Sequence, residues 1–176
     1  MDVKIDINDW ERRSAQAWAE IDGYYERGEA GEAEFRARID ALAAELPQDS
    51  PVVPFERACA WDSTGHSDKA VPLYREALDR GLAGMRRRRA VVQMSSSLRN
   101  VGRVAEAVEL LTAERDNHDP DAAVLDDAVA ATLALCLVDS GREREAVSVA
   151  LSALAPHLPR YQRSMANYAR LLVEPE

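Results

Sequence analysis

Gly28, Gly65, Gly102 and Gly141 recur at spacings of 37, 37 and 39 residues, and each is followed five residues later by an alanine: Ala33, Ala70, Ala107 and Ala146. A fixed period of this length constrains a chain more than any local propensity, because it implies one supersecondary unit stacked on copies of itself. Each glycine lies where one amphipathic stretch stops and the next begins, as in TGHSDKAVPLYREAL, VGRVAEAVELLTAE and SGREREAVSVALSAL. Such a glycine reads as a helix C-terminal cap that opens a short turn. The alanine one turn into the second helix then lets two antiparallel axes approach closely.

Upstream of each turn the logic repeats. Four residues before the glycine the side chain is large and apolar (Tyr24, Trp61, Leu98, Leu137), and three residues earlier stand Ile21, Ala58, Ser95 and Ala134, small in three of the four units. Composition supports helices: eight glycines, eight prolines and two phenylalanines stand against many Ala, Leu, Glu and Arg residues. The pattern predicts helical hairpins over about 9–46, 52–81, 86–117 and 122–155. A final helix follows over about 160–173, where Tyr161, Met165, Tyr168 and Leu172 form an apolar stripe suited to covering the last hairpin. Pro47, Pro51 and Pro54 interrupt the chain between the first two hairpins. At 176 residues we expect a single domain over 1–176.

These residues give the chain its resemblance to the tetratricopeptide-repeat proteins, whose signature pairs a small residue and an aromatic in the first helix with an alanine and a bulky residue in the second. Ala58 and Trp61 with Ala70, Tyr74 and Ala77 match best; Ser95, Leu98, Ala107 and Leu111 follow, then Ala134, Leu137, Ala146, Ala150 and Ala153. The first unit departs, with Ala37 and Asp40 where a bulky and a small residue are expected. The stretch from Phe55 to about Ala155 also resembles small bacterial stand-alone repeat proteins, actinobacterial in flavour, with no activity assigned to them. The resemblance implies an all-α fold, a right-handed α-α superhelix of about four hairpins with a C-terminal capping helix, and a non-catalytic role in protein–protein interaction.

In such a stack the first helices of successive hairpins line a concave inner surface. Helical spacing from the turn glycines assigns Trp18, Asp22, Tyr25 and Glu26 to it from the first unit, and Phe55, Cys59, Asp62 and Ser63 from the second. Arg89, Val92, Gln93, Ser96, Arg99 and Asn100 follow from the third, and Ala131, Leu135, Val138 and Asp139 from the fourth. Trp18, Tyr25 and Phe55 are divided between core packing and a stacking platform for an apolar ligand side chain.

Charge sharpens this surface. Residues 80–105 hold seven arginines and no acid, while the whole chain carries a formal −9, which leaves −16 for the rest. Arg89, Gln93, Ser96, Arg99 and Asn100 would form a basic stripe able to fork onto a peptide's carboxylates and pair with its backbone. The competing reading is interhelical pairing of the same arginines with Glu56, Asp62 and Asp139. Of the run Arg86 to Arg89, at most two face the groove, and the others are solvated or paired with acids on the outer wall.

No phosphate loop, nucleophile elbow or paired histidines appear, so no catalytic residue, metal or cofactor is expected. The NHDPD segment sets His118 beside two aspartates, in a composition common to loops between helices. Cys59 and Cys136 are widely separated and read as core residues. No apolar run nears the roughly 20 residues of a membrane helix, and the acidic start lacks signal-peptide character, so a cytoplasmic protein is expected. The acidic remainder disfavours nucleic acid. The leading reading is an adaptor that binds an acidic or C-terminal peptide of another protein. The alternative is a self-associating scaffold that buries its terminal helix or groove in another copy as a homo-oligomer. An enzyme or a binder of anionic small molecules ranks last.

Overall fold

The computed structural model describes residues 5–117 and 119–174; His118, and with it the metal reading of NHDPD, lies outside them. The described residues form ten α-helices and two short 3-10 segments, with no strand: α1 (Ile7–Ala19), α2 (Ile21–Tyr25), α3 (Gly28–Ala43), α4 (Val52–Ser63), α5 (Ser67–Asp79), α6 (Gly84–Asn100), α7 (Val104–Asp116), α8 (Asp126–Asp139), α9 (Glu143–Leu154) and α10 (Gln162–Leu171). The 3-10 segments are Pro120–Leu125, before α8, and Ala155–His157, after α9. Contacts cluster into two compact units divided between Leu82 and Ala83, and each is described by itself. One domain over the whole chain remains a proposal.

The turn glycines do what their spacing predicts. Gly65, Gly102 and Gly141 have φ of +78°, +79° and +71°. In each turn the amide after the glycine donates to the carbonyl of the large residue four before it: His66 to Trp61 (2.9 Å), Arg103 to Leu98 (2.8 Å) and Arg142 to Leu137 (2.9 Å). This 6→1 bond, with the glycine amide donating three residues back, is the Schellman closure of a helix C-terminus. It brings Ala70, Ala107 and Ala146 into the interior, where all are buried.

In the first unit two helices, α1 and α2, take the place of the first helix of the hairpin expected over about 9–46, the break falling at Glu20 (φ −95°, ψ 2°). Asp6 caps α1 by accepting from the amides of Asn8 and Asp9. The Trp10 indole donates to the Leu42 carbonyl (2.7 Å) and its ring packs with Ala43, Leu46 and Val53. A neighbouring cluster joins Ala17, Phe35, Ile39 and Ala60. Arg13 pairs with Glu45 and Arg38 with Glu20, tying α1 and its end to α3. These guanidiniums hold both carboxyls below the usual carboxylate range.

Ala33 is exposed, so the fourfold glycine–alanine rule fails at its first instance. The close approach is made two residues earlier: a Cβ on Gly31 would lie 2.2 Å from the Tyr24 carbonyl oxygen. The buried stripe of α3 accordingly runs Gly31, Phe35, Ile39, Ala43. The bulky residue sought at Ala37 is supplied two positions earlier by Phe35, and the stripe continues at Ile39 in place of Asp40. Gly31→Ala should therefore lower stability by about 1–3 kcal/mol through overpacking, read as a fall in Tm. Ala33→Gly should cost no more than the helix propensity difference of about 1 kcal/mol.

In the second unit α7 packs between α6 and α8, and α9 between α8 and α10. The Ser148 hydroxyl on α9 donates to the Ala169 carbonyl (2.7 Å), and Arg144 donates to that of Leu172 (3.3 Å), which seats α10 on α9. Ala169 is fully buried, with Met165 and Leu172 half-buried beside it. The capping helix is thus present, but Tyr161 and Tyr168, expected inside its stripe, point outward.

Candidate functional site

The face assigned to ligand binding divides between the two units. In the first, Trp18 is half-buried; its indole donates to Glu56 (2.8 Å) and its ring meets Phe35 edge-on at 5.0 Å. Phe55 is fully buried and packs against Tyr74 at a centroid distance of 6.4 Å, so it offers no ring face to a ligand and is a core residue. The Tyr74 hydroxyl donates to Asp62 (3.2 Å), and burial pushes that phenol far above its ordinary range. Tyr25 is exposed and donates to the Ser63 carbonyl (2.6 Å); partial burial, then Glu32 and Asp22, raise its phenol. Asp22 is exposed. The stacking platform expected from Trp18, Tyr25 and Phe55 therefore loses Phe55.

Trp61 is half-buried at a cleft of about 410 Å³ between α3 and α4, floored by Ala33, Ala37 and Ala60. The Arg36 guanidinium and the Lys69 ammonium lie 4.7 and 4.3 Å from its ring centroid. Cation–π contacts cover the indole here, in place of complete burial.

In the second unit α6 and α8 lie side by side. Arg89, Ser96 and Asn100 are exposed on α6, with Gln93 half-exposed between them. On α8, Ala131 is exposed, Leu135 is 53% exposed and Val138 48%. These three α8 residues, spaced four and three apart, form an apolar row facing solvent. Arg99 joins the helices at one end, its Nε donating to Asp139 at 2.5 Å, and that contact raises the arginine's own pKa. Arg99 is thus committed to Asp139, as the interhelical-pairing alternative anticipated, and Arg103 pairs with Glu106. The arrangement is a polar row bearing Arg89 beside an apolar row, tied together by an ion pair.

Arg88, one of the four successive arginines, is paired with acids, one of the two fates expected outside the groove, and it is buried. Its Nε stands 3.2 Å from Glu114 Oε1, and its Nη1 donates to Asp126 at 2.5 Å and to the Ala122 carbonyl at 3.2 Å. Its Nη2 donates to the carbonyls of Glu114 (3.2 Å) and Asn117 (3.3 Å). Arg87 donates to the second Glu114 oxygen (2.7 Å). A signal for this node was present in the sequence: Glu114 occupies the position of Ala77 and Ala153 in the neighbouring units. An acid where the repeat calls for a small residue demands a buried cation, which Arg88 supplies.

Among the described residues no group of acids, histidines and cysteines is arranged to hold a metal, and no helix is long and apolar enough to cross a membrane. Cys59 and Cys136 are buried, and burial raises the Cys136 thiol.

A family model for the tetratricopeptide repeat matches residues 51–172, more than half of the chain. The chain belongs to the tetratricopeptide-repeat family. Proteins of this family generally mediate protein–protein interaction and are typically not catalysts. No curated protein and no solved structure matches the chain.

Two mutants separate the roles of the arginines. Arg88→Met should cost about 3–5 kcal/mol, because it leaves Glu114 buried beside a single partner, and urea denaturation will show the loss. Arg99→Ala removes an exposed pair and should cost less than about 1 kcal/mol in the same assay.

Proposed function

We propose that this tetratricopeptide-repeat protein is a non-catalytic adaptor that binds a peptide or protein segment apolar along one side and acidic along the other. The observation that carries this reading is the juxtaposition on the second unit of Ala131, Leu135 and Val138 with the polar row of Arg89, Gln93, Ser96 and Asn100. A large apolar side chain left half-exposed in a row, rather than singly, marks an interaction surface. The ligand's apolar side chains cover Leu135 and Val138, its carboxylates meet the Arg89 fork, and the Asn100 amide pairs with its backbone. Arg99, held by Asp139, keeps the two rows in register and contributes field rather than a ligand contact.

The location is cytoplasmic, and the partner is another polypeptide rather than nucleic acid.

A displayed peptide library selected against the full chain tests this. Selected peptides should combine leucine- or phenylalanine-type anchors with Asp or Glu flanks. Leu135→Ser and Arg89→Ala should each weaken their binding by about tenfold, equal to about 1.4 kcal/mol, in titration calorimetry while leaving Tm unchanged. Peptides without acids, or binding that both variants retain, would refute the proposal.

A further inference from the structure

The first repeat departs from the later ones at Ala33 and Ala37, and the departure leaves a hollow. Nine residues after the turn glycine the second and third repeats carry Tyr74 and Leu111, where the first has Ala37. Ala33 and Ala37, one turn apart on α3, are exposed. With the buried Ala60 of α4 they floor the cleft of about 410 Å³ beside Trp61. Cavities of this size hold small molecules. The alanine floor is apolar and offers no side-chain hydrogen bond.

The charges on the rim are not balanced. Arg57 is committed to Asp40, its Nε donating at 2.6 Å, and both residues line the cleft. Arg36 lines it too, and among the described residues it has neither a hydrogen bond nor an acidic partner. Its guanidinium lies over the Trp61 ring, and its Nη1 is shut away from water with no acceptor. Glu32 and Asp40 stand one helical turn to either side of it on α3, at the spacing where ion pairs form, and it takes neither. Lys69 brings a second positive charge to the same ring. A guanidinium partly withdrawn from water and left unpaired is under-solvated, and an anion forked onto its open edge supplies the missing interaction.

We infer that this cleft is a binding site for a small aliphatic carboxylic acid. The carboxylate takes the open edge of Arg36 within the field of Lys69, and the hydrocarbon chain lies on Ala33, Ala37 and Ala60. A flat, singly charged carboxylate matches the guanidinium fork. Asp40 on the rim and Glu29, Glu32 and Glu34 along α3 raise the cost of a doubly charged phosphate. The alanine floor has nothing to pair with a peptide's amides, which favours a free acid over an acidic side chain of a polypeptide. The site lies wholly within the first unit and does not rest on the peptide-binding reading of α6 and α8.

Proton–nitrogen NMR of the full chain, with hexanoate as the probe, tests the inference. The chain has three indole N–H signals; those of Trp10 and Trp18 are bonded to Leu42 and Glu56 and report on other sites. The Trp61 signal should shift saturably, with a dissociation constant of about 1 mM, within reach of so small a ligand. Hexanamide, the same shape without the charge, should bind about tenfold more weakly, and Arg36→Gln should weaken hexanoate by about the same factor. Ala37→Leu keeps every charge and fills the cleft from its exposed side, so it should abolish the shift. The backbone amide spectrum of each variant shows that it is folded. A Trp61 signal that does not saturate would overturn the inference. So would hexanamide, inorganic phosphate or N-acetylglutamate amide binding as tightly as hexanoate, or a folded Ala37→Leu protein that keeps the affinity.

Discussion

The carbonyl at the end of each first helix must find a donor, and the left-handed glycine that follows lets the next amide reach it. This hydrogen bond, made at Trp61, Leu98 and Leu137, sets the direction in which each second helix leaves its turn. The hairpin interior depends on that direction. It places Ala70, Ala107 and Ala146 against the preceding helix and leaves Tyr74 and Leu111 as the bulky fill behind them. A Cβ at Gly65, Gly102 or Gly141 would meet nothing within 4 Å, so glycine serves there for its backbone alone. Gly31 is the opposite case, with an ordinary helical backbone and no room for a side chain.

Buried charge is the second constraint, and it works by a different route. Glu114 is enclosed in the interior of the second unit and is tolerated because Arg87 and Arg88 approach its two oxygens. The remaining donors of Arg88 are spent on three main-chain carbonyls and on Asp126, so the ion is nearly fully solvated by protein. Desolvation makes such a cluster weak as a source of net stability, while removal of one partner leaves the other charge buried and uncompensated.

How much of this was legible in the sequence varies with the kind of interaction. The turns and the three later hairpins were readable from glycine spacing, since a backbone requirement leaves a residue type at a fixed position. The first hairpin was misread at Ala33, Ala37 and Asp40 because two different glycines, Gly28 and Gly31, serve there, and spacing alone does not distinguish a turn from a close approach. Phe55 was divided between surface and core, since a residue near the edge of a helical stripe turns inward or outward with a small rotation of the helix. Arg99 was correctly seen as having a pairing alternative in Asp139. Pairing with acids was one of the two fates expected for the arginines of this run that do not face the groove, and Arg88 has it; its burial and its partner Glu114 were not singled out, because that acid is found only by comparing equivalent positions of the repeats. The exposed row at Leu135 and Val138 was placed by spacing, but its apolar character beside α6 became meaningful only with the exposures known.

Helical repeats are commonly treated as interchangeable beads, each contributing its own stability and one boundary term. The acceptors of Arg88 lie 26, 29, 34 and 38 residues downstream, on α7, just past its end, in the 3-10 segment and at the start of α8. The third hairpin therefore carries an ion whose coordination is finished by the fourth. These two repeats form a single indivisible module, so recombining or transplanting this protein's repeats has to cut outside the pair.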